Sequence, residues 1–298
     1  MAATVDLTEH AIVVPTSRRR ERWRYGWYVL RRSPSGLLGL VMLAIVLFGA
    51  AFGPSLWSQD PAATDTSNTL APPNADHPFG TDSYGRDILA RTFHGARLDF
   101  GIAVVVALVA TLVGTAIGVA AGYLAGRFDQ IAMRGTDVLM AFPGFILAIG
   151  IAAVLGNDIR NVITAIAIAY TPVMIRIVRA HTLGLRSAQY VVASKAVGTS
   201  SWRIMRSHLV PNTLSPILVQ STLFMAWAVL DTAGLSFIGV GIRPPTAELG
   251  AMTAEGAEFV VSGAWWYSLF PGLVIMALVL AFNLLGDALR DILDPHLR

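Results

Sequence analysis

The chain has 298 residues, 14% of them charged and 54% hydrophobic, with a formal net charge of +3 and a mean hydropathy of +0.59. An ordinary soluble domain carries about a quarter charged residues, so this composition excludes one and predicts an all-α polytopic membrane protein. With no cysteine in the chain, disulfides, thiolate metal sites and cysteine nucleophiles are also excluded.

The chain opens on a basic tail, residues 1–35, holding seven Arg in and around SRRRERWRYGWYVLRR. Such a tail reads as a topology signal and lipid anchor, with Trp23 and Trp27 at the headgroups, rather than as a nucleic-acid site. A helix needs about 20 mostly apolar residues to cross the hydrocarbon. Six segments qualify: 36–57, 98–126, 137–156, 160–180, 212–239 and 267–287. The first follows too long a charged segment to be a cleavable leader. Within the second, Gly114, Gly118 and Gly122 recur every four residues, the spacing of a close helix–helix seam. Pro143 and Pro172 fall inside the third and fourth segments, where neighbouring helices can satisfy the freed carbonyls.

The bases set the orientation. Seven lie in the tail, two in 127–136, six in 176–211 and two at the C-terminus, so 17 of 22 fall on one side. Six spans with both termini cytoplasmic are expected, and the single Lys among the 22 bases suggests a GC-rich bacterial genome. Residues 176–211 then form a cytoplasmic loop with six bases and no acid. Its first part, Tyr190 to Val197 with Val192, Ala193, Ser194 and Lys195, reads as a short helix ended by Gly198. Thr199, Ser200 or Ser201 can cap a second, Trp202 to His208, stopped by Pro211. Helical spacing places Trp202, Met205 and Leu209 on one face and Arg203 with Arg206 on another. Two short helices at a glycine elbow carry more apolar surface than a free loop needs. The pattern fits interfacial helices on the membrane and a plug for a partner's groove equally well.

The remaining polar residues give few sites. Asp231 lies near the outer end of the fifth segment, as a path-lining carboxylate or as one bonded to nearby backbone. Phe237 and Arg243 sit in and before the Gly-Pro-rich stretch 239–250, a candidate outer gate. His77, Asp82 and Asp87 fit no compact metal loop; the two acids read better as turn and helix-cap residues. Asn283, Asp287, Arg290 and Asp291 cluster at the inner end of the sixth segment, as anchors or as a contact for the loop. No G-x-x-x-x-G-K-[ST] phosphate cradle, G-x-S-x-G or paired-histidine helix occurs, so the energy for any transport must come from elsewhere.

Four stretches together resemble a known family. Val192 to Gly198 followed by HLVPN, His208 to Asn212, is similar to the coupling-loop motif of ABC-importer permeases. HPFGTDSYGRDILARTFHGAR (77–97), DTAGLSFIGVGIRPPTAELGAMTAEG (231–256) and WWYSLFPGLVIMALVLAFNLLGDALRDILDPHLR (265–298) resemble the second permease subunit of the peptide/nickel branch. The resemblance covers nearly the whole chain from about residue 20. It implies a type I ABC-importer permease fold, in which 36–97 supplies the first span and outer loop and 98–298 the transmembrane domain with its coupling loop, 181–211. It also implies a homologous permease partner, one or two cytosolic ATPases that bind the ATP and Mg, and an extracytoplasmic binding protein; this chain itself would hold no cofactor and do no chemistry. Di- or oligopeptide is the implied cargo, with nickel or another small solute as the alternative. A stand-alone ion-coupled carrier and a membrane enzyme, for which the sequence shows no cluster of convergent polar groups, are the remaining readings. One departure stands out: the family's coupling-loop Glu is Val192 here, and its second Ala is Ser194.

Overall fold

The computed structural model describes residues 33–293; the basic tail with Trp23 and Trp27, and the last five residues, lie outside that range. The described residues are helical, with one isolated bridge between Thr81 and Asp87 and no strand. Helix α1, Pro34–Leu56, starts where Ser33 accepts the Gly36 N–H and proline fills the first turn, a position that needs no N–H donor. Helix α2, Ile88–Leu124, runs 37 residues, about 55 Å at 1.5 Å per residue. It starts ten positions before the expected 98 because Asp87 caps it, accepting from the Ala90 N–H at 2.7 Å.

The third expected span is divided. Helices α3, Gly126–Met140, and α4, Gly144–Leu155, meet at 86°. Pro143 does not sit inside a continuous helix but immediately before α4. Proline has no N–H for the α ladder and pushes the residue before it, here Phe142, out of helical geometry. Among the described residues, five helices are long and apolar enough to span a membrane, or six if the bent pair counts as one. The others are α5, Ile159–Leu185, which carries Pro172 without interruption, then α9 and α11 below.

Helix α5 packs along α2. A Cβ on Gly114 would stand 2.5 Å from the Met174 Cβ, and one on Gly122 would stand 2.7 Å from that of Thr182. The glycine stripe is therefore the seam, and it admits the α5 backbone to contact distance. Two ion pairs tie α3 to α5: Arg179 to Asp129, bidentate at 2.5 and 2.7 Å, and the more exposed Arg176 to Asp137 at 2.5 Å. After α5 the loop residues form α6, Gln189–Ala196, then α7, Ser201–Ile204, a π turn Met205–Leu209 and α8, Val210–Asn212. Helix α9, Leu214–Phe237, packs on α2, with Thr111 and Ser221 hydroxyls 2.8 Å apart. Helix α10, Leu249–Ala257, and α11, Trp266–Leu293, complete the bundle, and α11 lies against α1 and α9.

At the end opposite the 189–212 knob, the segment between α1 and α2 folds over the start of α2. Asp82 sits in a turn, accepts the Tyr84 and Arg86 N–H groups, and pairs with Arg86 at 2.5 Å and Arg91 at 3.5 Å. All three side chains are buried. Asp87 also binds His77 at 2.9 Å and the Trp57 indole N–H at 3.1 Å. Asp82 and Asp87 thus serve as turn and cap residues, and His77 and Asp82 belong to different contacts. Arg91 reaches the Pro61 and Pro245 carbonyls and Trp266 the Thr81 carbonyl, so the two long connections brace one another.

Candidate functional site

The knob is built as a helix, an elbow and a second helical stretch. At the end of α6, Gly198 has φ +77°. Its N–H donates to the Lys195 carbonyl and the Thr199 N–H to the Ser194 carbonyl, each at 3.0 Å, which is a complete Schellman ending. A Cβ at Gly198 would meet nothing; the left-handed backbone alone demands glycine. Ser200 occupies the next N-cap, without a side-chain hydrogen bond.

The second stretch differs from the expected short helix. It does not stop at Pro211 but continues through Asn212, with proline inside α8. The missing proline N–H removes one rung of the α ladder, and a π turn sits just before it, closed by the Val210 N–H to the Met205 carbonyl. That extra residue per turn rotates the helix beyond it, so Leu209 leaves the side that Trp202 and Met205 still share. Leu209 is fully buried, Met205 partly, and Trp202 is 69% exposed. The true anchors are Val191, Ile204 and Leu209, all with no exposed surface.

Polar contacts lock the two halves together. The Ser194 hydroxyl donates to the Tyr190 carbonyl and lies 3.3 Å from the His208 Nε2. The Lys195 ammonium stands 4.8 Å from the centre of the Tyr123 ring at the end of α2, a cation–π contact joining the knob to the bundle. The outward surface is apolar with a basic margin. Val192, Ala193 and Val197 are exposed on and just after α6 with Arg203 exposed on α7, and Val197 is 80% exposed. Trp202 and Arg206 instead line, with Met205, a groove of about 430 Å³ against Leu112 and Ala116 of α2 and Leu214 and Leu218 of α9. A fixed knob with this surface can transmit a push and can bury apolar area against a groove.

At the opposite end, Phe237 and Arg243 line one recess of about 560 Å³ with Ser236, Glu255 and Glu258. Asp231 lies apart from it. Its Oδ2 accepts the Tyr170 hydroxyl of α5 at 2.7 Å, so its partner is a side chain and not backbone. Sequence reasoning missed Tyr170, which had no local signal, and Glu248, which had one. Glu248 immediately precedes α10 and caps it, accepting the Gly250 and Ala251 N–H groups at 2.9 and 2.6 Å. Asp99 accepts the neighbouring Leu249 N–H at 3.2 Å. Burial pushes the Glu248 carboxyl above its ordinary range, against the two N–H donors that lower it. Near the knob, Asn283 bonds the Val279 carbonyl of its own helix; Asp287, Arg290 and Asp291 make no hydrogen bond to the knob among the described residues.

Comparison with known proteins gives the frame for this geometry. Residues 114–298 match the family described as binding-protein-dependent transport system inner membrane component. Residues 21–73 match the N-terminal transmembrane domain of oligopeptide transport permease C. The dipeptide transport system permease protein DppC of Escherichia coli K12 is 42% identical, over 98% of this chain and 99% of that protein. DppC of Alkalihalophilus pseudofirmus is 40% identical over 93% and 90%. A Brucella suis protein provisionally named as a peptide transport system permease is 45% identical over 90% of each. With its helical bundle, broken third span and protruding knob, the chain belongs to the family of inner-membrane components of binding-protein-dependent transport systems.

Proposed function

We propose that this permease forms half of a peptide-importing pathway, pairing with a homologous permease and taking its energy from ATPases docked on the knob. Both termini and the knob face the cytoplasm in this reading, and an extracytoplasmic binding protein delivers cargo to the opposite end. The names of the relatives support di- or oligopeptide as the cargo. ATP and Mg belong to the partner subunits; among the described residues no group of three or more His, Asp or Glu side chains could hold a metal ion.

The observation that carries the reading is the knob itself. Its apolar outer surface of Val192 and Val197 is held by the Gly198 elbow and by the buried Val191, Ile204 and Leu209. ATPase closure pushes such a lever as a rigid body and switches which side of the pathway is open. Val192, Ala193, Ser194, Lys195, Gly198, Trp202, Arg203, Arg206, His208 and Pro211 form the coupling loop. Val192, Val197 and Arg203 are its contact residues, Trp202 and Arg206 turn to the groove beside α2 and α9, and Ser194, Lys195 and His208 hold its shape. Phe237 and Arg243 belong to the outer gate. Mild-detergent purification of the tagged chain tests this. A second permease and ATPase subunits should accompany the unsubstituted chain and be lost with Gly198→Pro or deletion of 199–205, while insertion in the membrane persists. Normal uptake by either variant would overturn the coupling assignment.

A further inference from the structure

We propose that Asp231 and Trp227 of α9 form a binding site for the primary ammonium group of the transported solute, with Tyr170 as a positioning residue. The site rests on the peptide reading above and specifies how the pathway recognises that cargo. Asp231 is the one ionisable residue between 214 and 237. Its Oδ2 is taken by the Tyr170 hydroxyl at 2.7 Å; its Oδ1 makes no hydrogen bond among the described residues, and no base pairs with it there.

Trp227 lies one turn before Asp231, hence on the same face. Trp227 and the adjacent Leu230 are 41% and 48% exposed, and Asp231 is partly exposed, so this chain leaves that face uncovered. A carboxylate turned to lipid is costly; within spans such groups face protein or a water-filled path. Behind this face the packing is aromatic. The Tyr170 ring stacks on Phe224 at 5.0 Å and meets Trp227 edge-on at 6.0 Å. A carboxylate with one free oxygen beside an indole suits an organic ammonium, which gains both an ionic hydrogen bond and a cation–π contact. A hard metal ion would need several more oxygen ligands.

Because this chain has no cysteine, Leu230→Cys gives it a single labelling position, read on this chain after it is separated from the partner subunits of the labelled, reconstituted transporter. It should react faster with a cationic than with an anionic methanethiosulfonate, and Asp231→Asn should remove most of that preference. A free-amine dipeptide should slow the labelling during turnover, and its N-acetylated form should not. In uptake, Asp231→Asn should raise KM for dipeptide about tenfold, the difference between a charged and a neutral hydrogen-bond partner; Asp231→Glu should recover part of it. Should Asp231→Asn fail to assemble, Trp227→Leu, which keeps the carboxylate, must still raise KM severalfold. Absence of labelling, or dipeptide uptake unchanged in the variants, would overturn the site alone. No dipeptide uptake by the unsubstituted transporter would overturn the peptide reading and this ligand with it.

Discussion

Gly118 of α2 faces the Ile175 carbonyl of α5, so closely that a Cβ on the glycine would stand 2.8 Å from that oxygen. The obstacle is backbone and cannot rotate aside. Gly118→Leu is therefore expected to force α2 and α5 apart at a cost of about 1–3 kcal/mol or more, read as a lowered melting temperature in detergent. Gly135 is the control: it too is helical, yet a Cβ there meets nothing. Gly135→Ala should be neutral or slightly stabilising. Equal melting of Gly118→Leu and the unsubstituted protein would contradict the seam.

The buried trio at the opposite end makes a second prediction. Asp82 is the shared counter-ion of Arg86 and Arg91, and Arg86 alone also reaches Glu255, at 3.5 Å. Asp82→Ala leaves buried guanidinium groups uncompensated and should cost about 3–5 kcal/mol. Limited proteolysis should then cut the 57–87 segment faster than the rest. A variant that melts and digests like the unsubstituted protein would show that the trio is not what holds the segment.

Much of this was legible in the sequence, and the failures have physical causes. The Asp87 cap, the glycine seam and the Gly198 elbow were readable because each depends on spacing or on a backbone need local to a few residues. The apolar segment begins only at 98, because Arg91 and Asp99 are charged; both lie inside α2, where burial and partners distant in the chain satisfy them. Pro143 and Pro172 look alike in sequence, yet only the first breaks a span. The π turn before Pro211 turned Leu209 away from Trp202 and Met205, because a one-residue change of register is invisible to helical periodicity. The Tyr170–Asp231 contact joins helices 61 positions apart, and nothing local announces it.

Glu248 makes stability depend on pH. Its folded pKa lies above the ordinary value, which is about 4.3 in an unfolded chain. Below that value both states hold the proton and burial of the acid costs nothing. As pH rises through the raised folded value, the folded state must bury a charge, so this contribution to stability falls. Glu248→Gln cannot ionise and, like the protonated acid, offers one carbonyl oxygen to the Gly250 and Ala251 N–H groups. It should match the unsubstituted protein most closely in acid and gain on it as pH rises. Asp99 and Ser236 remain beside it in both proteins. A melting difference that does not change with pH, or that moves in favour of the acid as pH rises, would refute the assignment.

Val192 offers a gain-of-contact test. The resemblance places a glutamate at this position, and here a valine stands 54% exposed on the outward face of α6, within the α6 stretch that also carries Lys195. Restoring the acid by Val192→Glu leaves the three buried anchors and the Gly198 ending untouched, so the knob keeps its shape. If the ATPase groove retains a basic or polar partner for that acid, docking should tighten by up to about fivefold, the range of an exposed ion pair. The gain should shrink as salt is raised, because screening shortens the reach of an exposed charge to about 8 Å at physiological ionic strength. If the groove has instead become apolar, the same substitution buries an unpaired carboxylate and docking weakens, with little salt dependence. Retention of ATPase on the tagged permease across a salt series separates the two. Tighter, salt-sensitive retention identifies a charged groove; weaker, salt-independent retention identifies a groove matched to valine. No change at any salt would mean that Val192 lies outside the docked surface.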